Sequence, residues 1–396
     1  MQPALLKPLG IESLLGCVIS GSAYHYSLDR AHCRTWNPNL LLLEKTIEKP
    51  LEFFYDISRE YWRRIKLHYR LNYPATDKWS DGRLLQSTNR ITVYQRPQFS
   101  LQLARKQLKD WNEVLDDESV ALLEKKCQLA PDHDNAVWYD ADGVKLVHYF
   151  PHLYTSEMLS PILDELDILL VKFPPLVPPE HEKRSSKFKE WRDHLGDEVP
   201  TGVVRLTYQH QVGHPHSPPG PSADFASRSG IRTTGAMNFR KSPAIRELSD
   251  HISVSASIDP KSWRDYRNAY IRMSDMFHLL KECNTDPLAR SIKKVEHIHC
   301  FVGLYLLVNI LTTIHRDVKD PPDGWVAMLV LGNFSRGNLC VPDLGLKLLY
   351  RAGDIVFMRS WALKHFITEY EGDGRYVILF STTYSIFQWL DSHQCL

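Results

Sequence analysis

The sequence predicts an α+β chain whose C-terminal part is a double-stranded β-helix (jelly roll), with helical N-terminal and flanking elements. Three observations predict it. Upstream of about residue 295, apolar residues recur mainly at helical spacing. From Phe301 onward, short apolar runs alternate with turn signals, in the number and spacing of a jelly roll. Set among those runs are Ile314-His315-Arg316-Asp317, Lys364-His365-Phe366 and Gly374-Arg375-Tyr376, where chemistry-bearing residues interrupt apolar sequence.

The chain has 396 residues, room for two or three average domains or for one large one with decorations. Residues 1–50 carry no clear period. Over Leu51 to Tyr73, Phe54, Ile57, Tyr61, Ile65 and Tyr69 recur at helical spacing, and Pro74 ends the run. The other face holds Arg59, Arg63, Arg64, Lys66 and Arg70, read either as a solvated face or as a phosphate-tracking one. Arg90 to Tyr94 suits a short strand, and Leu101 to Leu129 one or two helices.

The turn cluster Pro131 to Asn135 divides the chain into an α-rich accessory region, 1–135, and a second domain, 136–396, with its jelly-roll core at about 295–385. Ala136–Tyr139 and Val144–Tyr149 form a hairpin across the turn Asp140–Gly143. Thr155 is an N-cap for a helix reaching about Val171, and the proline pairs at 174–175 and 178–179 break it. Residues 180–235 are loop-rich, with a basic run of Lys183, Arg184, Lys187 and Lys189 and one strand, Val203–Tyr208. A long loop beside a catalytic core suits a lid or substrate loop. Helices are expected from Ser242 to about Ile252 and over Pro260–Cys283. Phe301–Ile310 is a fully buried strand, and six short strands follow before Tyr384.

The net charge is +1, so no polyanion-binding charge shows at the level of the whole chain, although local patches remain open. The seven cysteines are scattered, without a Cys-x-x-Cys pair, which fits free thiols in a reducing compartment. No cationic start precedes an apolar cleavable segment, and the apolar stretch Cys300–Ile314 is too short to span a membrane. The expectation is a soluble nuclear or cytoplasmic protein with no membrane and no obligate protein partner. His210, His214 and His216 are ligand types, but Pro215 breaks the helix that would align them, so no zinc site is read there.

His315 and Asp317 stand at i and i+2. On a strand such residues point to one face, roughly 6–7 Å apart, so both can reach one ion. His365 supplies a third donor from a distant strand. Two imidazoles and a carboxylate close a facial site that leaves three positions open, the preference of iron(II). Arg316, between two inward-pointing ligands, faces away, as a surface salt-bridge partner. Arg375 lies in the apolar strand Tyr376–Phe380, where a guanidinium needs an anionic partner, and a carboxylate bound through both oxygens is the natural one.

With that spacing, His315-x-Asp317, His365 and Arg375 resemble the iron(II)/2-oxoglutarate dioxygenases. Asp320–Gly332 looks like their next core strand, Gly337–Gly345 like the strand and turn after it, and Arg351–Arg359 like the approach to the distal histidine. Together they look like the Tet/JBP subgroup of nucleic-acid base oxygenases, in its expanded fungal form. The resemblance implies iron(II) on His315, Asp317 and His365, and 2-oxoglutarate bound to iron with its far carboxylate on Arg375. It implies dioxygen in the last position. Asn309, Ser360 and Arg359 are near enough in sequence to stand around the metal and cosubstrate, with packing or capping as the alternative for each. The implied reaction is oxidation of the methyl group of 5-methylcytosine, with DNA containing modified cytosine as partner. The same chemistry on a protein side chain or other non-DNA substrate is the alternative. Lys319 and Asp320 stand where animal Tet enzymes have the His and Asn that face the cytosine, which makes them the substrate-binding candidates. Gly337-Asn338 replaces a common Gly-Gly pair, and the Cys-rich zinc-binding extension is absent.

Overall fold

Alternation of apolar residues along the strands builds three layers. The computed structural model describes residues 91–107, 115–130, 135–175, 188–196, 199–207, 222, 238–240, 242–255, 301 and 303–392. The basic face expected over 51–73, the residues Lys183, Arg184 and Lys187, the histidines 210–216 and the helix expected over 260–283 lie outside these residues.

The described elements begin with β1 (Ile91–Gln95), α1 (Leu101–Gln107), α2 (Asp117–Lys126), β2 (Gln128–Leu129), β3 (Asn135–Tyr139) and β4 (Lys145–Phe150). Next come α3 (Ser156–Lys172), α4 (Phe188–Leu195), β5 (Gly202–Arg205), α5 (Pro243–Ser255) and β6 (Gly303–Val308). The chain continues through β7 (Val326–Arg336), β8 (Leu339–Val341), β9 (Leu346–Leu348), β10 (Ile355–Met358), β11 (Phe366–Ile367), β12 (Tyr370–Ser381) and α6 (Tyr384–Ser392). Six named strands therefore follow β6, as the turn signals predicted, but β7 and β12 are long, at 11 and 12 residues. The chain is α+β.

An eight-stranded sheet runs β1-β3-β4-β10-β7-β12-β6-β5, and a four-stranded sheet runs β11-β8-β9-β2. The sheets share a core. Val326, Met328 and Val330 of β7, Val356 and Met358 of β10, and Val377 of β12 pack with Leu339, Val341, Leu346 and Leu348 of the small sheet. The intervening residues Ala327, Leu329, Leu331, Ile355, Phe357, Ile378 and Phe380 point the other way. They meet Ile162, Leu166 and Leu169 of α3, Ile245 and Leu248 of α5, and Ile386 of α6. A strand buried on both faces must be apolar at nearly every position, which is why these segments read as unbroken apolar runs. In β6 the interior is less complete: Tyr305 and Leu307 are half-buried.

Strand pairing crosses residue 135. β1 pairs in parallel with β3, and β2 in parallel with β9. Asp140 holds the hairpin turn. Its Oδ1 accepts from the Asp142 and Val144 amides and its Oδ2 from the Leu101 amide. Thr155 stands at the N-cap of α3 without a side-chain capping bond.

β7 and β12 pair antiparallel over nearly their whole length, with an irregularity between Gly372 and Gly374. Opposite Arg375 stands Gly332, with φ +116; a Cβ there would lie 2.3 Å from the Gly374 carbonyl oxygen. Only glycine allows that approach. Gly332→Ala is expected to destabilise the fold by at least about 2 kcal/mol, through backbone strain and displacement of β12. Chemical denaturation of the full chain measures this, and an unchanged midpoint would count against the close approach.

Candidate active site

His315 is not on a regular strand, contrary to the geometry expected for the His-x-Asp pair. It forms a single antiparallel bridge with His365. Each donates its amide to the other's carbonyl, at 3.0 and 2.9 Å. Directly opposed residues of an antiparallel pair project to the same face, so the two imidazoles stand side by side with ring centroids 4.2 Å apart. Asp317 joins them because its amide donates to the Ser360 carbonyl at 3.1 Å.

The protonation of the rings follows from their contacts. Nδ1 of His315 lies 2.7 Å from the Thr313 carbonyl oxygen, and Nδ1 of His365 lies 3.0 Å from that of Leu363. A carbonyl can only accept, so each Nδ1 carries a proton. In a neutral ring Nε2 then bears a lone pair. Both Nε2 atoms face the Asp317 carboxylate, His315 Nε2 at 3.6 Å from Oδ1 and His365 Nε2 at 3.6 Å from Oδ2. That is too long for a hydrogen bond. Neighbouring ligands of one ion, bound at about 2.1 Å each, stand roughly 3 Å apart, so a small contraction would seat a metal. One ligand atom from each residue lies within 4.8 Å of the others. Three lone-pair donors converging with Asp317 and His365 buried is an arrangement that a cation stabilises.

The supports of these ligands include a residue the sequence did not single out. Asp343, in the turn after β8, accepts from the Lys364 amide at 2.7 Å and from Arg316 Nη2 at 3.2 Å. Arg316 Nε donates to the Ala362 carbonyl at 2.9 Å. The Arg316 side chain faces away from the donors, as alternation predicted, and pairs with Asp343 in a half-buried setting rather than at the open surface. Burial pushes its guanidinium pKa down, and Asp343 opposes that shift. One carboxylate thus braces the residue between His315 and Asp317 and the residue before His365. Beneath the ligands Ile314, Phe366, Cys340 and Cys127 form an apolar floor.

Arg375 is 2% exposed, and among the described residues no carboxylate stands beside it. Its Nε and Nη2 have no hydrogen-bond partner among the described residues. The Cζ lies 5.4 Å from the Phe334 ring, 5.5 Å from Tyr350 and 5.5 Å from Tyr370. Burial lowers its pKa, but a guanidinium starts so high that it stays charged. Trp191 of α4 donates Nε1 to the Tyr370 hydroxyl at 3.3 Å.

Asn309 contacts the arginine's backbone rather than its side chain. Its Oδ1 accepts from the Arg375 amide at 2.7 Å, its own amide donates to the Arg375 carbonyl at 2.9 Å, and Nδ2 donates to the Pro200 carbonyl at 2.9 Å. Its φ of 51° is a left-handed conformation that Asn tolerates better than most residues. Ser360 donates its hydroxyl to the buried Asp320 carboxylate. Lys319 is exposed, next to Val318 at 55% exposure, and its carbonyl accepts from the Tyr384 amide at 2.6 Å. The structure therefore brings His315, Asp317 and His365 together, sets Asn309 on Arg375, and sets Ser360 on Asp320.

The fold and the donor set define the class: an α+β protein with two histidines and one carboxylate arranged for a single metal ion. No family model and no curated protein matches the chain. Among solved structures it is similar to one described as NgTET1 in complex with 5mC DNA, at 12% identity and a TM-score of 0.42, covering 71% of this chain and 100% of that one. It is also similar to an oxidoreductase of the 2OG-Fe(II) oxygenase family from Burkholderia pseudomallei, at 11% identity and a TM-score of 0.25, covering 55% of this chain and 88% of that one. Likeness at this level says nothing of chemistry, so the site is read from this chain's own residues.

The His315→Ala/Asp317→Ala double variant is expected to lose stoichiometric binding of iron(II) under anaerobic conditions while keeping its far-ultraviolet circular dichroism. Metal analysis after desalting reads the outcome; full occupancy in the double variant would place the metal elsewhere.

Proposed function

We propose that the chain is an iron(II)- and 2-oxoglutarate-dependent dioxygenase whose two sheets form a double-stranded β-helix, and that it oxidises the methyl group of 5-methylcytosine in DNA. The observation that carries the enzyme class is the convergence of Nε2 of His315, Nε2 of His365 and the Asp317 carboxylate on one point. These residues would hold the iron, and Arg375 would hold the far carboxylate of 2-oxoglutarate. Bound together, iron and 2-oxoglutarate supply an oxidant able to break a C–H bond, consuming dioxygen and releasing succinate and carbon dioxide.

The chain's own residues contribute orientation and dryness. The Nδ1 protons of both histidines are fixed on backbone carbonyls, so the rings cannot rotate without losing a hydrogen bond. The apolar floor excludes water from one side of the donors. Arg375 gives an anionic ligand a fixed partner in a dry pocket.

The substrate assignment rests on the likeness of His315 to Arg375 to base oxygenases. Exposed Lys319, two residues after Asp317, suits a phosphate backbone. Asp320 is committed to Ser360 through Oδ2, so it can serve the base only as an acceptor, for the cytosine N4 amino group. Donors to the rest of the base edge come from other residues, and the base must leave the duplex to reach the iron. A net charge of +1 favours a second reading, the same chemistry on a protein side chain or other non-DNA substrate.

Two measurements test this. Iron-loaded protein, 2-oxoglutarate and ascorbate are incubated with methylated duplex DNA, and the nucleosides are quantified by mass spectrometry. Oxidised methylcytosine above a His315→Ala control is expected. Succinate formation without any modified base on duplex, single-stranded DNA or RNA would give the second reading the lead. Separately, Arg375→Ala should weaken 2-oxoglutarate binding by about 2–5 kcal/mol, and Arg375→Lys should recover only part, lacking the planar fork. An unchanged dissociation constant in Arg375→Ala removes the arginine from the cosubstrate site.

A further inference from the structure

Two thiols meet in the apolar floor beneath the metal donors. Cys127 and Cys340 share one cluster with Ile314 and Phe366, which precede His315 and follow His365 in sequence. Neither is in a disulfide, and both are buried. Their side chains are in hydrogen-bonding contact. They come from separate elements, roughly two hundred positions apart in the chain. The Cys127 Sγ also donates to the Leu123 carbonyl oxygen, at 3.3 Å. Packing alone requires sulfur at neither position.

The two backbones are held differently. Cys340 is in β8, opposite Phe366 of β11 on one side and Lys347 of β9 on the other. Cys127 is the C-cap of α2, where the helix gives way to β2. No residue of α2 is fully buried. Val120 and Leu123 are partly buried against the thiol cluster, and Glu124 pairs with Lys347 at 2.8 Å. The helix is thus lightly attached, and Cys127 is the member free to move. It is also the more reachable, at 8% exposure against 0% for Cys340. The hydrogen bond from Cys340 pulls the Cys127 thiol below its ordinary pKa, whereas that bond and burial push the Cys340 thiol up. Cys127 is therefore the thiol that ionises first and attacks.

We propose that Cys127 and Cys340 form a disulfide when the protein meets hydrogen peroxide, and that this bond staples α2 to the four-stranded sheet beneath the metal donors. The Cys127 thiolate attacks the peroxide, whose O–O bond breaks, giving a sulfenic acid on Cys127 and hydroxide. Cys340 then attacks the sulfenic sulfur. The S–S bond forms, the S–O bond breaks, and the oxygen leaves as water with the Cys340 proton. Hydroxide takes the proton that Cys127 released. In sum, two thiols are oxidised by two electrons, one peroxide is reduced, and two waters are formed. The sulfurs close to about 2.05 Å. The end of α2 makes that movement, because β8 is paired on both sides. The new bond closes a loop of roughly two hundred residues, which strongly restricts the unfolded chain.

The test uses the full chain, reduced, stripped of metal with a chelator and treated with a few equivalents of hydrogen peroxide. Remaining thiols are alkylated in denaturant, and the digest is read by mass spectrometry. The expected result is one principal disulfide, joining the peptides of Cys127 and Cys340 and removed by dithiothreitol. The oxidised chain should melt at least about 3 °C above the reduced one. Amide exchange over 117–126 should slow by at least about tenfold, since α2 can no longer lift from the sheet. In Cys127→Ala the same treatment should leave Cys340 as an alkylatable thiol. Recovery of both cysteines as alkylated thiols in the wild type overturns the pairing. So does Cys127 as a sulfinic acid beside a free Cys340, or linkage of either to another cysteine. A linked chain that melts no higher than the reduced one, or whose α2 amides exchange as fast as before, overturns the staple.

Discussion

The reciprocal backbone hydrogen bonds between His315 and His365 are the constraint on which the site depends. Two histidines fifty positions apart become neighbours on one face because they are directly opposed. Everything nearby serves to hold that bridge in register. The β11–β8 pairing fixes the residue after His365, since Phe366 is opposite Cys340. Asp343 fixes the residue before it through the Lys364 amide. A shift of one residue in this pairing would send one imidazole to the opposite face and dissolve the donor set.

Asp343 and Arg316 show why a short irregular stretch can be stiff. The run 312–317 belongs to no regular strand, yet its carbonyls and amides are committed. The Thr312 carbonyl accepts from the Ile367 amide, and the Asp317 amide donates to Ser360. Between them the Arg316 side chain crosses to the Ala362 carbonyl and to Asp343. Removing either partner of this half-buried pair leaves the other charge partly shielded from water and uncompensated. The stiffness therefore comes from side chains that contact no ligand, and a metal site gains precision from it.

How much of this the sequence disclosed follows the physics of each feature. β7, β10 and β12 were legible as apolar runs because both of their faces are buried. The donors His315, Asp317 and His365 were legible as residue types at fixed spacing, although the bridge geometry was not: a single antiparallel pair leaves no period to read. Arg375 was legible because a charge inside an apolar strand is conspicuous. Its surroundings were not, since Phe334, Tyr350, Tyr370 and Trp191 come from separate elements and each reads as ordinary core. Asn309 read as a neighbour of the cosubstrate, whereas its side chain grips the Arg375 backbone. That distinction depends on a left-handed turn and a contact with Pro200 that no local pattern announces.

Arg375 also explains why such a pocket must be built rather than merely present. A buried guanidinium without an anion costs several kcal/mol of desolvation. Phe334, Tyr350 and Tyr370 offset part of that through their ring faces, at about 0.5–2 kcal/mol each. The remainder is carried by the folded state through the long β7–β12 pairing, which holds Arg375 in place whether or not an anion is bound. Asn309 clamps the same residue from the other side, bonding both its amide and its carbonyl. The anion proposed to enter the pocket would remove that uncompensated cost, so its binding would stabilise the fold. On the proposed cosubstrate reading, the three aromatic faces and the glycine at 337 belong to anion recognition as much as the guanidinium does, because they keep it dry, fixed and open at one edge.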